Sequence, residues 1–106
     1  MKNFEELTSD VLTWANEKGI FDNPDPLAQL DKTQEELNET IEAVKQKDEA
    51  EIVDGIGDML VTIIIASKMF GEDPARCLEL AYNEIKNRTG KMVDGKFVKD
   101  LSLIHI

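Results

Sequence analysis

An all-α fold, four helices followed by a small β-hairpin, is predicted from three observations. Apolar residues recur at helical spacing through the first seventy or so positions. Each helical stretch opens on a capping residue, and the first and third run into glycine. Beyond Gly90 the pattern shortens to two runs around Asp94-Gly95. The chain has 106 residues, so a single domain over residues 1–100 is the expectation.

The first helix is capped by Asn3 and runs to about Lys18, with Gly19 as its stop. Phe4, Leu7, Val11, Leu12 and Ala15 form its apolar stripe. The rigid stretch Asp22-Asn23-Pro24-Asp25-Pro26 follows, and Asp25 and Pro26 suit the cap and first turn of a second helix reaching about Lys47. Leu30, Leu37, Ile41 and Val44 are its expected buried face. At about 100° per residue, Lys32, Glu36, Glu39 and Ala43 make a neighbouring stripe, while Glu35 and Glu42 point to solvent.

Asp48 caps a third helix, Glu49 to Phe70, ending at Gly71. Glu51, Asp54, Asp58, Thr62 and Ile65 share one side. Ile52, Ile56, Met59, Leu60 and Ile63 cover much of the rest, so this helix belongs at the centre of an assembly. Gly55 and Gly57 each cost about 1 kcal/mol relative to alanine inside a helix. Tight helix packing and close approach of a ligand are both open explanations for them. Asp73-Pro74 starts a fourth helix reaching about Asn87. Lys91–Val98 is the hairpin.

Twenty-two acidic residues against twelve basic ones give a formal charge of −10. This disfavours a nucleic-acid polymer or an anionic membrane surface as partner. The longest nearly apolar run, Met59–Ala66, is too short for a bilayer. The opening Met1-Lys2-Asn3-Phe4-Glu5-Glu6 lacks the apolar stretch of a signal peptide, and a cytoplasmic location is expected. The single cysteine, Cys77, forms no internal disulfide and is expected in the core. The tail Leu101-Ser102-Leu103-Ile104-His105-Ile106 resembles a translated transposon-adapter end and is expected to be non-native or disordered, a native tail packing on a partner being the alternative.

Four carboxylates carry the chemistry. Glu36 and Glu39 are spaced i,i+3, and Asp54 and Asp58 i,i+4, so each pair lies on one side of its helix. Like charges stacked in this way weaken a helix unless a cation sits between them. Two such pairs on neighbouring helices are a donor set for hard cations, Mg²⁺ or Mn²⁺. A di-iron bundle requires Glu-x-x-His motifs, and these helices contain no histidine. No Gly-x-x-x-x-Gly-Lys-Ser/Thr loop is present. Metal-assisted phosphoanhydride hydrolysis is the reaction class this donor set suits.

Lys32-x-x-Glu35-Glu36-x-x-Glu39, the following Asp54-Gly-Ile-Gly-Asp58, and Ala81-Tyr82-Asn83-Glu84-Ile85-Lys86-Asn87-Arg88-Thr89-Gly90-Lys91 resemble the MazG-like all-α nucleoside triphosphate pyrophosphohydrolases. The likeness spans roughly Leu7 to Val98 and is closest to the short, single-domain, phage-type members. It implies a four-helix protomer assembling into a helical-bundle homo-oligomer, a dimer or a dimer of dimers. It also implies hydrolysis of the α–β phosphoanhydride of a nucleotide to monophosphate and pyrophosphate, with Mg²⁺ as cofactor.

By resemblance Glu36, Glu39 and Asp58 are metal ligands. The family's third-helix pattern is usually Glu-x-x-Asp. Aligned on Asp58, its glutamate position holds Gly55, and Asp54 stands in as the remaining carboxylate. Aligned on Asp54, the motif is Glu51-x-x-Asp54. The apolar run after Asp58 favours the first register. Lys32 contacts phosphate or holds a carboxylate. Asn83, Lys86 and Arg88 match the family's phosphate contacts, though basic residues at a helix C-terminus also serve its dipole. Trp14 is a candidate base-stacking residue or a core residue, and Tyr82 carries the same ambiguity. A weakly active nucleotide-binding module and a purely structural helical assembly are the competing functions.

Overall fold

The computed structural model describes residues 1–100; the tail expected to be non-native lies outside them. The helices are α1 (Phe4–Glu17), α2 (Pro26–Lys45), α3 (Glu49–Met69) and α4 (Pro74–Ile85), followed by β1 (Gly90–Val93) and β2 (Lys96–Lys99). The chain divides into two compact units, Met1–Pro74 and a second beginning at Ala75.

The helix starts follow from their caps. Asn3 accepts from the Glu6 amide, Asp25 from Ala28 and Asp48 from Glu51. Each side-chain oxygen satisfies an amide that has no carbonyl partner in the first turn. Gly19 and Gly71 end α1 and α3 in the left-handed region, at φ 77° and 74°. The second helix stops at Lys45, two residues before the expected end, because Lys47 turns to φ 56° and returns the chain for α3. The fourth stops at Ile85, two residues short of Asn87.

Within the first unit, α3 packs against both α1 and α2. The α2–α3 seam differs from the expected one. Leu30, Leu37, Ile41 and Val44 are exposed at 39–55%, and the residues α2 buries are Glu36, Thr40 and Ala43. The reason is the closeness of the helices. A Cβ on Gly55 of α3 would collide with the Thr40 hydroxyl. Small and short-branched residues admit that spacing, and leucines do not. Further along, Thr33 donates to the Thr62 hydroxyl at 2.8 Å, Thr62 donates to the Met59 carbonyl at 2.7 Å, and the Gln29 amide reaches the Thr62 carbonyl at 3.2 Å. This chain satisfies hydroxyls that would be costly if buried alone.

Val53, Ile56, Leu60 and Ile63 of α3 are also exposed, as are Phe4 and Leu7 of α1. The buried apolar set is Ala15, Ala43, Ile64, Ile65 and Ala66.

In the second unit α4 buries none of its residues. Cys77 is therefore exposed, not in a core as expected. The hairpin pairs Lys91 with Val98 and Met92 with Phe97. Asp94 and Gly95, at φ 50° and 80°, make the turn; both central residues have the positive φ of the tight turn that matches strand twist.

Candidate metal and phosphate site

The α2–α3 seam positions the acidic residues. Glu36, one helical turn before Thr40, is 8% exposed. Asp58 lies nearly one turn beyond Gly55 and is half-buried. The carboxyl groups of Glu36 and Asp54 lie close enough to that of Asp58 for their charges to act on it. The proton affinity of Asp58 is raised, first by its own burial, then by the charge of Asp54, then by that of Glu36. Carboxylates from two helices thus act on Asp58, and their charges and its burial oppose its ionisation.

Lys32 partly offsets it. Its ammonium lies 3.5 Å from Glu35 Oε2 and 3.5 Å from Glu36 Oε1. The hydrogen bond and charge of Glu35, followed by the charge of Glu36, hold the Lys32 pKa above its ordinary value. Glu35 is exposed, as its helical direction requires.

Glu39 is exposed and lies further towards the α2–α3 turn, in a shallow concavity with Glu42, Ala43, Gln46, Asp48 and Glu51. The two acidic elements of α3 are therefore divided between two partners on α2. Asp54 and Asp58 accompany Glu36, and Glu51 shares a concavity with Glu39. The two ends of Glu51-x-x-Asp54 thus part, Glu51 falling with Glu39 and Asp54 with Asp58.

Trp14 is 48% exposed and lines an apolar groove with Leu7, Asp10, Val11 and Val61. Asn83, Lys86 and Arg88 belong to the second unit. There the Lys86 ammonium donates to Asn83 Oδ1 at 3.4 Å, and Arg88 pairs with Glu84 at 3.3 Å. Lys86 and Arg88 follow the end of α4, in the turn leading to β1. Tyr82 is exposed.

Among the described residues no group of three or more His, Cys, Asp or Glu forms a ready cage for a metal ion. The donors nevertheless fit Mg²⁺, which is commonly held by one or two carboxylates together with waters and substrate phosphates. Glu36 and Asp58 are such a pair, and the excess negative charge around Asp58 is what a cation would neutralise.

Sequence reasoning did not single out Thr40. Its signal is its place on the Glu36 stripe, opposite a helix that carries glycine. No described helix is long and apolar enough to cross a membrane.

The description of the MazG nucleotide pyrophosphohydrolase domain matches residues 25–89. The match runs from the cap of α2 through α4, more than half of the chain, and contains Glu36, Glu39, Asp54 and Asp58. Comparison with curated proteins and with solved structures yields no significant match. Enzymes with this domain hydrolyse nucleotides and generally depend on a divalent metal. With the matched segment holding the carboxylate seam, the chain belongs to the MazG nucleotide pyrophosphohydrolase family.

Proposed function

We propose that this protein is a Mg²⁺-dependent nucleotide pyrophosphohydrolase that cleaves the α–β phosphoanhydride of (d)NTPs or related nucleotides. The observation that carries the reading is the meeting of Glu36, Asp54 and Asp58 across the α2–α3 seam, inside the matched segment. Mg²⁺ when bound supplies positive charge that screens phosphate oxygens and polarises water. Glu36 and Asp58 would hold the ion, with Asp54 as a further acceptor for it or its waters; Glu39, a metal ligand by the family resemblance, lies towards the α2–α3 turn. Lys32 restrains the Glu36 carboxylate and is available to a phosphate. By the family resemblance Lys86 and Arg88 would neutralise phosphate oxygens and Asn83 would hydrogen-bond to them, and Trp14 would offer an aromatic face to the base.

Water adds to the α-phosphorus as the bond from that phosphorus to the bridging oxygen breaks. The electron pair leaves with pyrophosphate, and the nucleoside monophosphate keeps the incoming oxygen. A panel of nucleotides with Mg²⁺, its products separated chromatographically, tests the activity. Hydrolysis in ¹⁸O-labelled water places the label in the monophosphate; orthophosphate and a diphosphate as primary products would refute the reading.

The protein acts as a homo-oligomer, a dimer or a dimer of dimers. Leu30, Leu37, Ile41 and Val44 on α2, with Ile56, Leu60 and Ile63 on α3, are the exposed apolar residues a second copy would cover.

A weakly active nucleotide-binding module is the second reading. Gly55 favours it, since it stands where the family pattern usually has a carboxylate. Nucleotide-induced stabilisation without metal-dependent turnover would select it.

A further inference from the structure

A close approach in the α2–α3 seam lies beside the carboxylates, between Thr40 and Gly55. A Cβ built on Gly55 falls 3.1 Å from Thr40 Cβ and 3.4 Å from its Cγ2, and it collides with the hydroxyl. Thr40 cannot turn freely away. Its hydroxyl donates to the Glu36 carbonyl at 2.8 Å, and its β-branched side chain is 8% exposed. Gly57, two residues on, faces open space, with nothing within 4 Å of a built Cβ. Of the two glycines in α3, only Gly55 is required by contact. It accepts about 1 kcal/mol of helix cost at the position where the helices touch.

The ligand candidates bracket this contact. Glu36 precedes Thr40 by four residues on α2, and Asp58 follows Gly55 by three on α3. In antiparallel helices both then lie on the same side of the contact, about one turn away. Any increase in helix separation at Thr40–Gly55 is carried to the space between the Glu36 and Asp58 carboxylates. A glutamate at position 55, which the family pattern would place there, is incompatible with Thr40, since its Cβ already collides.

We infer that Thr40 and Gly55 form a positioning pair that sets the spacing of Glu36 and Asp58 for one shared divalent cation. Neither residue touches the ion. The inference rests on the proposed metal site and adds the device that fixes its width. Carboxylates on two helices bind one cation together only within a narrow separation, and the backbone contact supplies that separation before the ion arrives.

The test compares Gly55→Ala, Thr40→Gly and the double variant Thr40→Gly/Gly55→Ala with the unaltered protein. Thermal unfolding is followed over a Mg²⁺ titration, with circular dichroism to establish helix content. Gly55→Ala is expected to stay helical while its Mg²⁺ midpoint rises about 10- to 100-fold, the range typical of groups that orient metal ligands. The double variant moves the missing side chain to the other helix and is expected to recover the midpoint. Loss of helix propensity or of the hydroxyl alone is read from Thr40→Gly. A Gly55→Ala midpoint equal to that of the unaltered protein overturns the inference. So does a helical double variant that fails to recover. If Gly55→Ala does not fold, the double variant decides alone by the same criterion. Absence of any Mg²⁺ response in the unaltered protein would instead overturn the metal site itself, and this inference with it.

Discussion

The carboxyl group of Asp58 on α3 stands against that of Glu36 on α2, with Asp54 one turn back along α3. Burial and the two neighbouring charges all oppose ionisation of Asp58. Such an arrangement is unfavourable for the protein alone and favourable for a protein that receives a cation there. Several outcomes are expected from this relationship and from the faces on either side of it.

Asp58→Asn is expected to abolish turnover without unfolding the protein. Below the ordinary carboxylate value of 3.8, Asp58 is neutral in both folded and unfolded chains. As pH rises through its raised folded value, the charged form costs stability, and above that value the cost is complete. At neutral pH the metal-free variant should therefore melt about 2 °C higher, as a few tenths of a kcal/mol would give. The gain should vanish in acid, and Mg²⁺ should stabilise the variant less. Differential scanning calorimetry with and without Mg²⁺ reads both; full activity would remove Asp58 from the site. Glu35→Gln is the contrast, with activity kept within about threefold because its carboxylate is exposed.

Mg²⁺ affinity should fall as acid protonates Asp58. Of the neighbouring charges, that of Asp54 acts most strongly on Asp58. In Asp54→Asn the Asp58 proton affinity therefore drops, and the acid limb of Mg²⁺ binding should move to lower pH even though binding is weaker overall. Calorimetric titrations across the acid range would show the limb; a shift to higher pH would contradict the assignment.

Light scattering at micromolar concentration should report at least a dimer. Ile56→Lys places a charge in the exposed apolar stripe of α3 and should yield monomer, with a melting temperature that no longer rises with protein concentration. A monomeric unaltered protein would count strongly against the oligomer.

Lys47 occupies the left-handed region at φ 56° between α2 and α3. A side chain with a Cβ is strained there by about 1 kcal/mol. Lys47→Gly should stabilise the protein by roughly 0.5 kcal/mol after the entropy of the unfolded glycine is subtracted. Chemical denaturation would measure it, and destabilisation would show that the lysine side chain contributes contacts of its own.

The sequence alone determined the elements. Asn3, Asp25 with Pro26, and Asp48 set the helix starts, Gly19 and Gly71 their stops, and Asp94-Gly95 the hairpin turn. These are local choices, made by hydrogen bonds and φ values within a few residues, so they can be read without knowing the rest of the chain. The separation of Glu35 from the Glu36 stripe was equally legible, because helical period fixes relative direction along one helix.

Tertiary structure alone decided which stripe met which neighbour. Period places Ile41 and Ala43 on different sides of α2, but it does not say which side α3 will take. The apolar stripe is the expected buried face, yet α3 takes Glu36, Thr40 and Ala43. Gly55 brings the helix backbones too close for leucines, and the hydroxyls of Thr33 and Thr62 bond to each other across the seam. The energy of that choice belongs to a pair of helices, and it also decides that Glu36 meets Asp58 while Leu30, Leu37, Ile41 and Val44 remain uncovered within the chain.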